Sequence, residues 1–246
     1  MSHFKNNLKT KPMKKIIYLQ DENGNFQKYE YENISDLNEE LKKRKITIGD
    51  SAKIGNNARI GEWASIRVLA RIGESANIGV GAMIGECAKI EASANIGARA
   101  TIKAMATIGA GASIGADATI GADAMIGARA KIGARARIGD RANIGAGATI
   151  GEWATIGEDA TIGEDAMIGE YNSFFAFNLY KYTCGAWIEE KRGEMVQLGC
   201  FTRTRKEWEA DFWNNNDEFP NDNSEKSNAR LRAFKMCCNF LDLIKK

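Results

Sequence analysis

Histidine is nearly missing from this chain of 246 residues: His3 is the single one. No Ser/His/Asp set can be assembled from the remainder, and no P-loop pattern is present. No stretch approaches the 18 apolar residues of a membrane span, and the N-terminus shows neither an apolar core segment nor a small-residue cleavage site. These absences set the expectation of a soluble, cytoplasmic protein. Five cysteines (Cys87, Cys184, Cys200, Cys237, Cys238) fall without CxxC or CxxH spacing, so reduced and mostly buried thiols are expected rather than a metal site. Cys184 and Cys200 could face each other across a hairpin, although a reducing compartment would keep both as thiols.

Charge of one sign is lacking too. The formal net charge is +2, and no segment is strongly basic. Lys5, Lys9, Lys11, Lys14 and Lys15 form one short basic run, which reads as a solvated tail. Neither nucleic acid nor an anionic membrane is implied as a partner.

What is present in excess is a period of six. From Ile46 to Tyr171 the chain reads as 21 uninterrupted hexads, from ITIGDS to AMIGEY. The third position is Ile in all 21, the first is Ala in 20, and the fourth is Gly in 18, with Arg67, Glu91 and Lys103 as the exceptions. This period fits neither a heptad nor a helix of 3.6 residues per turn. Ala and Ile two apart point to one face of a strand. The following Gly is expected to supply a tight corner through its freedom of dihedral angle. Three hexads close a triangular coil, so 21 make seven coils, a prism about 34 Å long at about 4.8 Å per coil. Three Ile columns lined by Ala fill the interior, and its narrowness explains why nothing larger replaces Ala.

The aliphatic, Gly, two variable, small, variable pattern resembles the hexapeptide-repeat superfamily, bacterial transferase type. That resemblance covers about half the chain. It implies an all-β solenoid, a left-handed parallel β-helix of about seven coils; the handedness comes from the resemblance alone. Residues 1–45 would then be a tail, hairpin and capping helix, 46–171 the β-helix, and 172–246 a small α+β cap. The segment IIYLQDENGNFQKYEYE reads as a hairpin about Asn23-Gly24. Ser35 is expected to cap the short helix that follows. Beyond the repeat, FFAFNLYKYT and MVQLGCF read as strands with a turn near Gly193. Thr204 to Glu207 fits a capping box, and Leu231, Phe234, Cys238 and Leu241 lie at helical spacing. The stretch VQLGCFTRTRKEWE loosely resembles tails of uncharacterised bacterial and phage hexapeptide-repeat proteins.

The outer columns are read by stepping 18 residues. One holds Trp63, Gly81, Arg99, Asp117, Arg135, Trp153 and Tyr171; another holds Asp123, Arg141 and Asp159. Alternating charges there are expected to staple successive coils. Ala fills most fifth positions in the middle coils. With the apolar patch Val68, Leu69, Cys87 and Met105, this points to a self-association surface. The family resemblance implies a homotrimer.

Two functions compete. The first is a homo-oligomeric scaffold or interaction protein, with a further protein partner left open. The second, implied by the family, is an acyl- or acetyltransferase using acetyl-coenzyme A or an acyl carrier protein. The family's usual base is a histidine, and a second branch, the γ-type carbonic anhydrases, needs three. His3 alone, in the tail, serves neither, so no catalytic and no metal-binding residue is assigned. If a cofactor or carrier site exists, Arg135, Arg137, Trp153 and Tyr171 are its candidates, with guanidinium and aromatic groups placed to hold a phosphate or an adenine. The favoured alternative is that those side chains stack on one another and dock the C-terminal unit.

Overall fold

The computed structural model describes residues 14–169, 173–177, 184–189, 192–199, 201–212 and 222–244. A hairpin, β1 (Lys15–Gln20) and β2 (Phe26–Tyr31), opens the described chain and turns through Gly24 at φ +83°. A 3-10 turn at Ile34–Leu37 and a short helix, α1 (Asn38–Lys43), follow. The turn starts one residue before Ser35, so Ser35 is not the cap. Asp36 instead accepts from the backbone N–H groups of Glu32 and Asn33.

Twenty-one strands of two or three residues, β3 to β23, then run from Thr47–Ile48 to Met167–Ile168, one per hexad. Every third strand stacks in parallel on the last, giving three sheets. The Ile residues therefore form three columns of seven. Ile48, Ile66, Ile84 and Ile102 begin one column and are in register across their sheet. Ile60 through Ile162 are nearly or fully enclosed, and the first-position alanines from Ala58 to Ala160 are fully enclosed. Each buried Ile contributes about 1.5–3 kcal/mol, which makes these columns the main source of stability.

The backbone hydrogen bonds account for the coil. The second-position N–H donates to the Ala carbonyl of the next coil (Thr101 to Ala118, 2.8 Å), and the fourth-position N–H donates to the next Ile carbonyl (Gly115 to Ile132, 2.7 Å). The sixth-position N–H donates back to the preceding coil (Arg135 to Ala116, 2.8 Å).

Glycine's role differs from the sequence expectation. The repeat glycines are not the residues with unusual dihedrals; the sixth-position residues hold positive φ, among them Ser51, Asn57, Trp63, Leu69, Arg99 and Arg135 at 56–61°. Glycine is needed at the fourth position because the next coil passes so close. A Cβ on Gly115 would lie 2.4 Å from the Ala134 nitrogen, and one on Gly55 2.5 Å from that of Glu74. At Arg67, Glu91 and Lys103 the corresponding hydrogen bond is 2.9, 2.9 and 3.0 Å, longer than the 2.7–2.8 Å at the glycines. The coils open slightly to admit those Cβ atoms.

Both ends are covered, as an open solenoid requires. Leu37, Leu41, Ile17 and Leu19 join the core at the start. At the far end, β24 (Ser173–Phe177) extends the third sheet beside Thr155–Ile156, and β25 (Cys184–Glu189), β26 (Gly193–Leu198) and β27 (Phe201–Thr204) continue it antiparallel. Alternation along β25 and β26 splits their side chains. Trp187 and Met195 pack on the prism, whereas Cys184, Ala186, Val196 and Leu198 pack under α2 (Arg205–Asp211) and α3 (Glu225–Ile244). Thr204 and Glu207 form the expected capping box. Arg205 ties the unit together through Glu194, Glu209 and Asp242 at 3.4, 2.8 and 2.5 Å. Cys184 faces Leu198 across the hairpin, and Cys200 lies outside the described residues. Cys184, Cys237 and Cys238 are buried and Cys87 is exposed. Burial pushes the Cys238 thiol up to about 11 and Cys237 further.

Candidate functional site

The corner between the first and third sheets carries the candidate column. Its sixth-position residues have left-handed backbone, which aims each side chain along the prism toward the next coil. Lys45 Nζ lies 3.8 Å from the Trp63 ring centroid, and the Arg135 guanidinium lies 4.9 Å from that of Trp153. Between them Arg99 grips both carboxylate oxygens of Asp117 at 2.7 and 2.8 Å. That grip, with a smaller contribution from Arg135, holds the Asp117 carboxyl below its ordinary value.

The expected charge ladders are thus paired rather than continuous. Arg99 joins Asp117 and Arg141 joins Asp159, again through two bonds of 2.7 and 2.8 Å. Asp117 with Arg135 and Asp123 with Arg141 are not among the ion pairs of the described residues.

Of the four candidate residues, the structure brings two together. Arg135 and Trp153 stack across one coil. Arg137 sits exposed on the flat of the third sheet between Thr119 and Thr155, and its guanidinium has no hydrogen bond or ion pair among the described residues. Tyr171 and His3 lie outside the described residues. The Arg135 guanidinium covers one face of the Trp153 ring, and the indole remains 47% exposed.

A second surface is more distinctive, and the sequence reading caught only part of it. On the third sheet and its two flanking corners, three consecutive coils expose Trp63, Val68 and Leu69, then Val80, Met83 and Cys87, then Met105. Trp63 and Met105 are more than half exposed, at 55% and 56%. Met83 stands in register between Ser65 and Thr101. Trp63, Val80 and Met83 were missed because the columns were read one at a time rather than side by side. Stepping 18 residues along three neighbouring columns would have found them.

Among the described residues no group of three His, Cys, Asp or Glu could hold a metal ion, and no helix is long and apolar enough to cross a membrane.

Fold and surface together define a capped parallel β-solenoid whose sides are decorated with paired charges and one apolar patch. The family model "Bacterial transferase hexapeptide (six repeats)" matches residues 105–140 and 117–152. Residues 105–152 carry that family's hexapeptide repeat, and the same hexad runs through residues 46–171 of the chain. No curated protein matches it. Among solved structures, it is similar to a perosamine N-acetyltransferase variant from Caulobacter crescentus in complex with CoA and GDP-perosamine, at 16% identity and TM-score 0.34, covering 52% of this chain and 51% of that one. It is similar to the UDP-N-acetylglucosamine O-acyltransferase of Moraxella catarrhalis, at 19% identity and TM-score 0.44, covering 53% and 64%. A putative acetyltransferase of Bacillus cereus is similar over 92% of this chain and 98% of its own, at 15% identity and TM-score 0.35. The chain spans about half the length of the Caulobacter enzyme it matches.

Proposed function

We propose that this protein is a homo-oligomeric β-helical scaffold, a rigid strut that associates with copies of itself, as a homotrimer, through the third sheet. One observation carries the reading: the apolar patch from Trp63 to Met105 spans three stacked coils of a side that has no carboxylate at its outward strand positions. Exposed apolar side chains grouped in this way mark an association surface. The alanines at the corners, Ala98 and Ala104 beside Thr101 among them, let a second backbone approach closely. Sedimentation tests the reading. A mass near three times the 27.0 kDa of the chain supports it, and a monomer at all concentrations overturns it.

A second reading follows from the family model's description as a transferase, since its matches include Arg135 and Arg137. On that reading the protein is an acyltransferase whose cofactor is acetyl-coenzyme A or an acyl carrier protein. A thermal-shift titration with acetyl-coenzyme A distinguishes the two. Saturable stabilisation, lost in an Arg135→Ala/Arg137→Ala variant, favours the transferase; no shift favours the scaffold.

A further inference from the structure

A polar groove of about 580 Å³ lies on a different side of the prism, on the first sheet, lined by Tyr18, Asn57, Arg59, Ser75, Asn77 and Asn95. Its construction depends on the hairpin. β1 docks in parallel on the first-sheet strand Ala58–Ile60, which places Tyr18 opposite Arg59. Arg59 is followed in register by Asn77 and then Asn95 on the next two coils. Asn57 and Ser75 close the groove from the adjoining corner, both with positive φ that turns their side chains along the prism axis.

Three features separate this groove from the stapled corners. First, Arg59 has no carboxylate partner among the described residues; its guanidinium is held over the rings of Tyr18 and Phe26, at 5.6 and 5.3 Å from their centroids. Flanking rings fix a guanidinium without neutralising it. Second, no lining residue is acidic. Third, the remaining lining groups are amides and hydroxyls. Asn77 donates to Asn95 Oδ1 at 2.9 Å, while its own Oδ1 is enclosed and accepts from no protein group.

We infer that this groove binds a small hydroxylated anion, a sugar acid or sugar phosphate, with Arg59 taking the charge and the Asn77–Asn95 ladder, Asn57, Ser75 and Tyr18 taking the hydroxyls. A fixed, unneutralised guanidinium suits a carboxylate or phosphate. Amide groups, which donate and accept at once, suit alternating hydroxyls. The volume lies within the ordinary range for small-molecule sites. The groove stands apart from the apolar patch, so the inference does not rest on the oligomer.

Calorimetric titration of the full chain with glucuronate, glucose 6-phosphate, glucose and inorganic phosphate tests it. At least one of the two anionic sugars binds, and which one does distinguishes carboxylate from phosphate recognition. Glucose and phosphate alone bind at least about tenfold more weakly. Arg59→Gln weakens the anionic sugar by about tenfold or more, and Asn95→Ala by several-fold. Thermal melting establishes that each variant is folded; if Arg59→Gln is not, Asn95→Ala decides. The inference is overturned if neither anionic sugar binds, if inorganic phosphate binds as tightly as the sugar, or if folded variants bind unchanged.

Discussion

Gly115 lies so close to Ala134 of the following coil that a Cβ placed on it would sit 2.4 Å from the Ala134 nitrogen. This approach, repeated along the prism, is what the fourth-position glycine provides. Gly115→Ala is expected to destabilise the protein by about 2–3 kcal/mol, since the obstacle is backbone and cannot swing away. Gly81 is the contrast. It has φ +65°, and its Cβ would meet nothing nearer than Arg99 Cγ at 3.5 Å. Gly81→Ala is expected to cost about 1 kcal/mol, from the left-handed backbone alone. Urea unfolding of the two variants gives the comparison.

The sixth position makes a second prediction. Ser93 is exposed and holds φ +58°. A β-branched side chain is strongly disfavoured there, so Ser93→Val is expected to cost about 1–2 kcal/mol while Ser93→Gly stays near neutral. Denaturation midpoints of the pair settle the sign.

That position shows how far the sequence could be read. Ile at the third position of all 21 hexads and Ala at the first of 20 defined the coil, because side-chain period alone decides which residues face inward. The glycines were misread because a conserved spacing shows where a small residue sits, not whether its dihedral or its neighbour demands it. A signal was available: across 21 sixth positions the chain has no Val, Ile or Thr. That is the mark of left-handed backbone. The Arg135–Trp153 stack was legible from the 18-residue step. The Arg59 groove was not, since it depends on Tyr18 docking beside a residue 41 positions away, in a register set by the three pairs from Ile17↔Ala58 to Leu19↔Ile60.

The N-terminal cap predicts a pH dependence. Arg44, nearly enclosed, donates to the Glu40 carboxylate and to the Tyr29 hydroxyl oxygen, and Tyr29 donates to Glu40 at 2.8 Å. These bonds, Arg44's first, hold the Glu40 carboxyl below its ordinary 4.5. A depressed carboxylate contributes stability that is complete above the unfolded value and lost as pH falls through the folded one. Stability of the native protein should therefore decline from about pH 5 downward more steeply than that of Glu40→Gln. Unfolding free energies of both proteins at several acidic pH values test this; parallel curves would remove Glu40 from the account.

The apolar patch predicts its own disruption. Met83 and Leu69 are about half exposed, so replacing either with Glu removes no core packing. Leu69→Glu and Met83→Glu are expected to leave the melting temperature of the isolated chain within a few degrees, while placing charge in the contact between copies.

The most direct test is the mass in solution of the native protein beside the Leu69→Glu/Met83→Glu variant, by sedimentation equilibrium. The account predicts a native mass near three times 27.0 kDa and a folded variant near 27.0 kDa. A native monomer, or an oligomer that the two substitutions leave intact, would contradict it.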